Sequence, residues 1–141
     1  MSFLQRNIRT APLGYTTPSF PSLYWPIPVA GPQANFLYNI GDVWRFTLLW
    51  TLIFYAAVHA AVCFWAIAIQ KRNYKVIWTV PIIYAVIGGV EALIAGSVTG
   101  GLIGTVYQAG YYRVSTWIPF AWALVCTLVL ILSSFGFQGG L

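Results

Sequence analysis

Residues 46–69 read FTLLWTLIFYAAVHAAVCFWAIAI, and this stretch decides the fold. It contains 24 residues, none of them charged, and one histidine. As a helix it would be about 36 Å long, more than the ~30 Å of a bilayer's hydrocarbon core. Asp42 precedes the stretch and is the expected N-cap residue. The sequence therefore predicts a first transmembrane helix over residues 43–69.

Two further apolar segments follow. Residues 76–107 hold a single charge, Glu91, and residues 117–135 hold none. The longer segment would form a helix of about 48 Å, so we expect it to tilt, to kink in its glycine-rich half, or to project from the bilayer. The predicted fold class is an all-α membrane protein. Its three transmembrane helices, at about 43–69, 76–107 and 117–135, lie in a domain of residues 42–141, and the second helix is long and glycine-rich.

The composition excludes several classes of protein. Hydrophobic residues make up 60% of the 141 positions and charged residues only 6%, against about 25% in a soluble domain. A chain of this size cannot bury so much apolar surface in one core, which excludes a soluble globular protein. The net charge of +5 is scattered, without the continuous basic surface that nucleic acid requires. With no catalytic motif and no metal-ligand spacing, we expect no enzyme, no metal and no cofactor other than a bound phospholipid.

Residues 1–41 are expected to form an irregular tail. The stretch from Pro18 to Pro28 is rich in proline and aromatic residues, and proline removes backbone donors and disfavours helix at the residue before it. The aromatic side chains of such a tail would dock on a partner protein or at the membrane interface. Tyr24 and Trp25 are the candidates for this clasp.

Basic residues predict the orientation in the membrane. Lys71, Arg72 and Lys75 crowd the short loop between the first two helices, whereas Arg45 and Arg113 lie at the opposite membrane face. Cytosolic loops carry an excess of lysine and arginine. The balance of three against two predicts that this basic loop and the C-terminus are cytosolic, and that the tail is lumenal.

Small residues recur every four positions along the second helix. This small-residue stripe comprises Gly88, Ala92, Gly96, Gly100 and Gly104. Small side chains let another helix approach closely within lipid, where packing drives association. Two readings are open: the stripe packs against the first or third helix of this chain, or it receives a partner helix or a lipid tail. Under both readings Gly100→Leu is damaging, but it prevents folding under the first and assembly under the second.

Two polar residues lie inside the predicted spans. Glu91 is the only acid there, and an intramembrane charge costs several kcal/mol unless it is paired or neutralised. Counting residues from the basic loop places it level with Tyr55 or, if the helices tilt, with His59. His59 is the lone histidine, for which an interhelical hydrogen bond is expected. A proton-coupled carrier is an alternative that rests on Glu91 alone.

The order and spacing of several short motifs resemble the transmembrane protein 170 family over residues 42–135. The resemblance is carried by Asp42-Val43-Trp44, Leu49-Trp50-Thr51-Leu52, His59, the loop Lys71-Arg72-Asn73-Tyr74-Lys75, Ala95-Gly96, Thr99, Val106-Tyr107 and Ile118-Pro119-Phe120. The proline-rich tail is not covered by it. Glu91 stands where the family pattern has a small or apolar residue, so the resemblance implies no role for it.

The resemblance implies a non-enzymatic protein of the endoplasmic reticulum and nuclear envelope, with three spanning helices and a lumenal N-terminus. It further implies membrane shaping, or a place in a complex around a bridge-like lipid-transfer protein. The expected partners are membrane lipids and a larger membrane or lipid-transfer protein, and no nucleic acid. The alternatives are an accessory subunit of a protein insertion or translocation complex and, from the acid-free tail, a small subunit of a mitochondrial inner-membrane complex.

Overall fold

The computed structural model describes residues 11, 13–24, 35–70 and 73–138, with side chains described as far as residue 136. Trp25 of the expected clasp, and Lys71 and Arg72 of the basic loop, lie outside these residues. The elements in chain order are β1 (Phe36–Leu37), α1 (Ile40–Ile69), α2 (Tyr74–Ile77), α3 (Thr79–Ala109), β2 (Val114–Ser115) and α4 (Trp117–Gln138).

Within the part of the chain that the structure describes, three helical segments are long and apolar enough to cross a membrane. They are α1, the combined segment of α2 and α3, and α4. The predicted all-α membrane architecture is therefore confirmed. Helix α1 begins three residues before its expected start, and α3 ends two residues beyond its expected end.

The start of α1 corrects the expected N-cap. Asn39 is the N-cap residue, and its carbonyl accepts hydrogen bonds from the amides of Asp42 and Val43. Asp42 lies instead in the first turn, where its carboxylate faces the partial positive charge of the helix N-terminus. Its Oδ2 accepts hydrogen bonds from Asn39 Nδ2 at 3.1 Å and from Thr17 Oγ1 at 3.0 Å. Asp42 therefore fastens the tail to α1 rather than capping it.

The second apolar segment is interrupted near its beginning. The single turn α2 ends at Ile77, Trp78 forms a turn, and α3 then runs without a break through the glycine-rich half. Pro81 explains the position of the break. It has no amide hydrogen to donate to the Ile77 carbonyl, and its ring would clash with that carbonyl in a continuous helix.

A short ladder joins the ends of the helices. Strands β1 and β2 are antiparallel, with Phe36 opposite Ser115 and Leu37 opposite Val114. Leu37 and Val114 are buried in a small hydrophobic core with residues of α1 and α3. The ladder was not predicted, because two residues are too few to show a period of two.

Helix α1 is the centre of the bundle. It packs most extensively on α3 and less on α4, while α3 and α4 contact each other little. Gly104 lies beside Ile40 and Gly88 lies beside His59, so α1 and α3 are antiparallel. We call the end with β1, β2 and residues 13–24 the cap end, and the end with residues 70–75 the basic end. The core lies at the cap end.

Candidate functional site

The small-residue stripe faces α1 over its whole length. A Cβ atom added at Gly100 would lie 2.9 Å from Trp44 Cα, and one at Gly96 would lie 3.1 Å from Leu48 Cα. These neighbours are backbone atoms, which cannot rotate away, so the two helices approach as closely as glycine permits. All five residues of the stripe are buried.

Two threonines of α1 form part of the surface opposite the stripe. Thr47 and Thr51 are fully buried, and their hydroxyl groups donate to carbonyls of their own helix, to Val43 O at 2.8 Å and Thr47 O at 2.7 Å. Each hydroxyl is thus satisfied without a group from α3. The interface is closed by α1 of the same chain, which leaves no room for a partner helix between Gly96 and Gly104.

His59 and Glu91 meet across the interface toward the basic end. His59 Nε2 lies 3.5 Å from Glu91 Oε2. The imidazole stands over Gly88, where an added Cβ would lie 2.8 Å from the ring carbon Cγ. Tyr84 contacts the ring edge-on, with 6.4 Å between ring centroids. Of the two partners that the sequence offered Glu91, the structure places His59 beside it.

A hydrogen bond orients the His59 ring. Nδ1 lies 2.8 Å from the Tyr55 carbonyl, which only accepts, so Nδ1 carries a hydrogen. Nε2 faces Glu91 Oε2 at 3.5 Å, and Oε2 is buried without a hydrogen-bond partner among the described residues. The hydrogen bond of His59 is therefore made within α1, not between helices as expected, and the polar contact with Glu91 is a longer one. Such pairing reduces the cost of placing Glu91 in a membrane-spanning helix.

Tyr55 connects the same region to the third span. Its hydroxyl donates to Cys126 O of α4 at 3.2 Å, and Cys126 Sγ lies 3.2 Å from Thr99 Oγ1 of α3. The three spanning helices therefore meet at this level. The sequence pattern did not single out this junction, because an isolated tyrosine or cysteine in an apolar span carries no spacing signal.

A groove of about 420 Å³ lies between α1 and α3 beside the pair. On α1 its lining runs from Leu52, on the cap side of His59, to Ile67, and on α3 it runs from Gly89 to Pro81. Its walls are almost entirely apolar. The groove could not be predicted from the spacing of the small residues, because α1 covers Gly96, Gly100 and Gly104 whereas Gly88 and Gly89 line the groove.

The tail lies over the cap end of its own chain. Tyr24 OH lies 3.1 Å from Ser115 Oγ, and Trp117 Nε1 donates to the Tyr24 carbonyl at 2.9 Å. Phe20 packs against Trp50, with ring centroids 5.1 Å apart. Tyr24, the described residue of the expected clasp, thus contacts Ser115 and Trp117 of its own chain, and docking of the tail on a partner stays a prediction.

Tyr15 extends this cap. Its hydroxyl donates to the Phe36 carbonyl at 2.9 Å, and its ring packs edge-on against Tyr38. Burial and, secondarily, the negative charge of Asp42 raise the pKa of Tyr15 above its ordinary value of 10.0. The raised pKa favours the neutral phenol, the form that donates this hydrogen bond.

The remaining candidates among the described residues form no further cluster. Lys75 is exposed on α2 at the basic end. Cys63 and Cys126 are free thiols, and the described residues contain no group of three or more His, Cys, Asp and Glu side chains that could hold a metal ion.

These features define a small multi-pass membrane protein with three spanning helices. Its α1 and α3 pack closely through glycines, and β1, β2 and the tail cover their cap end. The chain belongs to the transmembrane protein 170A/B-like family, whose pattern matches residues 36–141. The Saccharomyces cerevisiae protein YPR153W, described as uncharacterized, is 39% identical over 138 residues, which cover 98% of this chain and 96% of that protein. No solved structure matches the chain.

Proposed function

We propose that this chain is a non-enzymatic membrane subunit of the endoplasmic reticulum that serves bridge-like lipid transfer or the shaping of reticulum and nuclear-envelope membrane. Its partners would be membrane lipids and a larger membrane or lipid-transfer protein. The basic loop and C-terminus would be cytosolic, and the tail lumenal. The transmembrane protein 170 resemblance, strengthened by the family match, is the source of this role.

One observation carries the proposal furthest: the unequal length of the spans. Helix α1 has 30 residues and α3 has 31, while α4 has 22. At the standard rise these are about 45, 46 and 33 Å, so the α1–α3 pair exceeds the hydrocarbon core by about 15 Å. Such a pair must tilt, thicken the bilayer locally or extend beyond it. Each of these outcomes suits a protein that shapes membrane or presents a two-helix stem to a larger subunit.

The test is purification of the tagged full-length chain in a mild detergent at native expression, with every co-eluting protein identified by mass spectrometry. A stoichiometric, very large lipid-transfer protein would support the anchoring role. Recovery of the chain with membrane-curving proteins only would support the shaping role. Translocon or respiratory subunits in stoichiometric amounts would refute both.

Imaging separates the alternatives by compartment. A C-terminally tagged chain should colocalise with reticulum and nuclear-envelope markers, whereas a subunit of a mitochondrial inner-membrane complex would colocalise with mitochondria. Protease protection of terminal tags in sealed microsomes tests the orientation. The C-terminal tag should be digested and the N-terminal tag protected, and the reverse pattern would contradict the charge argument.

A further inference from the structure

The extra length of α1 and α3 lies at the cap end. Phe120 of α4 packs against Trp50 of the parallel helix α1, with 4.8 Å between ring centroids. From these residues α4 runs 18 more residues to Gln138 and α1 runs 19 more to Ile69, so the two helices end at about the same level. In the other direction α4 begins only three residues before Phe120, whereas α1 begins ten residues before Trp50.

Backbone that is not helical lies beside this extra length. Leu37 of β1 and Val114 of β2 form one hydrophobic core with Val43 and Phe46 of α1, and Phe20 of the tail packs against Phe46. The ladder has two strands, so each strand leaves one edge open. Open strand edges and irregular backbone are not exposed to hydrocarbon, because their amides and carbonyls would have no partners there. The hydrocarbon core of the membrane therefore does not cover the cap end.

Charged and aromatic side chains mark the same boundary. Arg45 is exposed on α1, and residues 46–69 that follow it carry no charge. Trp44, its neighbour, is 40% exposed. Arg113, in the loop after α3, holds its guanidinium 4.9 Å from the centroid of the Phe36 ring in β1. An exposed cation is costly in hydrocarbon, whereas arginine and tryptophan together are ordinary anchors where a span meets the headgroups.

A boundary at Arg45 gives the three spans nearly equal lengths. It leaves 24 residues of α1, residues 46–69, within the membrane. Because Gly100 lies beside Trp44, the matching part of α3 is residues 79–100, which number 22, and α4 also has 22. At the standard rise these spans are about 36, 33 and 33 Å long, each close to the ~30 Å of the hydrocarbon core. The whole helices, at about 45, 46 and 33 Å, do not match one another.

We propose that the cap end is an extramembrane head, and that lipid headgroups surround the chain at a belt formed by Trp44, Arg45, Gly100 and Trp117. Residues 101–109 of α3 then project from the hydrocarbon by about 14 Å. The α1–α3 pair extends beyond the membrane, so neither tilting nor local thickening is needed to bury its full length. This placement follows from the chain alone and holds in any compartment or complex.

The test compares single cysteines placed at exposed positions of α3. Val106 and Ile94 lie six residues to either side of Gly100, about 9 Å in each direction, and are 65% and 61% exposed. Full-length Val106→Cys and Ile94→Cys chains are reconstituted into phosphatidylcholine vesicles, with a charged, membrane-impermeant maleimide on both sides. We expect Val106→Cys to be modified at least tenfold faster, because only a hydrated thiol forms the reactive thiolate. The wild-type chain, whose Cys63 and Cys126 lie within the spans, gives the background rate.

Both variants should react equally after the vesicles are dissolved in a denaturing detergent, which shows that both thiols are intact. Protection of both cysteines in vesicles would overturn the proposal, because the membrane would then cover the full length of α3. Equally fast modification of both would also overturn it, because water would then reach 9 Å into the proposed span.

Bilayer thickness provides a second measurement, on the wild-type chain. Thermal unfolding is followed in vesicles of phosphatidylcholines with increasing acyl-chain length. The highest unfolding temperature is expected where the hydrocarbon thickness is about 33 Å, the length of α4. A maximum near 45 Å, the length of the whole α1–α3 pair, would overturn the proposal. Neither measurement depends on which proteins co-elute with the chain, so the proposed function and this placement can fail separately.

Discussion

Replacing Gly100 with alanine tests how closely α1 and α3 must approach. A Cβ atom at this position would lie 2.9 Å from Trp44 Cα and 3.1 Å from Thr47 Cβ. Ordinary contacts of such an atom begin at 3.4 Å, so the helices must separate by about 0.5 Å, the difference between 3.4 and 2.9 Å. A gap of that size loses a quarter or more of the attraction in each contact along the interface. Overpacking of this kind costs about 1–3 kcal/mol.

Gly101→Ala is the matched control, because a Cβ at Gly101 meets nothing within 4 Å. Both substitutions gain the same helix propensity, about 1 kcal/mol, so their difference isolates the helix contact. We expect Gly100→Ala to be about 1–3 kcal/mol less stable than Gly101→Ala when the purified chain is unfolded in mild detergent. Equal stabilities would refute the close approach.

The larger substitution Gly100→Leu separates the two readings of the small-residue stripe. The structure predicts that the purified monomer fails to fold, because α1 occupies the space. A Gly100→Leu chain that folds alone but no longer assembles with other proteins would favour the partner reading instead.

Three further predictions concern the polar contacts. Glu91→Gln should stay within about 0.5 kcal/mol of wild type, because its amide can donate to the imidazole of His59. Glu91→Leu, which removes the polar contact of the imidazole, should lose about 1–3 kcal/mol in the same unfolding assay. The reverse order would contradict a stabilising contact between the two side chains. Loss of a proton-coupled flux in Glu91→Gln vesicles would support the carrier. Tyr24→Phe removes the hydroxyl that contacts Ser115 and should weaken the contact of the tail with the cap end by about 1 kcal/mol, so that limited proteolysis of the tail becomes faster. An unchanged digestion rate would count against the contact between the tail and the cap end. Because the pKa of Tyr15 is raised in the folded chain, its contribution to stability should be complete below pH 10.0 and disappear as the pH rises through the folded value. Asp42→Asn should bring that pKa nearer its ordinary value in a phenolate absorbance titration, and a further rise would be the wrong sign.

The spans could be predicted from sequence because length and hydropathy decide them. The ends of the spans could not be predicted in this way, because a helix begins at the residue whose carbonyl accepts the first amide hydrogen bonds. Asp42 has the right side chain for an N-cap, yet the chain turns at Asn39. Similarly, the second span was expected to be one helix over residues 76–107, but the clash between Pro81 and the Ile77 carbonyl places a break at Trp78.

The site was partly predictable for a geometric reason. Two antiparallel helices joined by a short loop have the same rise per residue, so counting from the loop places Glu91 level with Tyr55, about one helical turn from His59. Spacing alone also identified the small-residue stripe, but not which helix fills it. The contacts of the tail could not be predicted, because Tyr24 and Ser115 are 91 positions apart and irregular chain has no period from which a register could be read.

The two ends of the α1–α3 pair differ because of what faces the small residues. From Gly96 to Gly104 the α1 backbone lies against the stripe, and the ladder and tail close the cap end above it. At Gly88 the facing group is the imidazole of His59, whose Cγ would lie 2.8 Å from an added Cβ, in place of a threonine or a backbone atom. Glu91 Oε2 lies 3.5 Å from Nε2 of that ring. His59 and Gly88 both line the groove, so the α1–α3 interface changes at this level from a closed backbone contact to an open one.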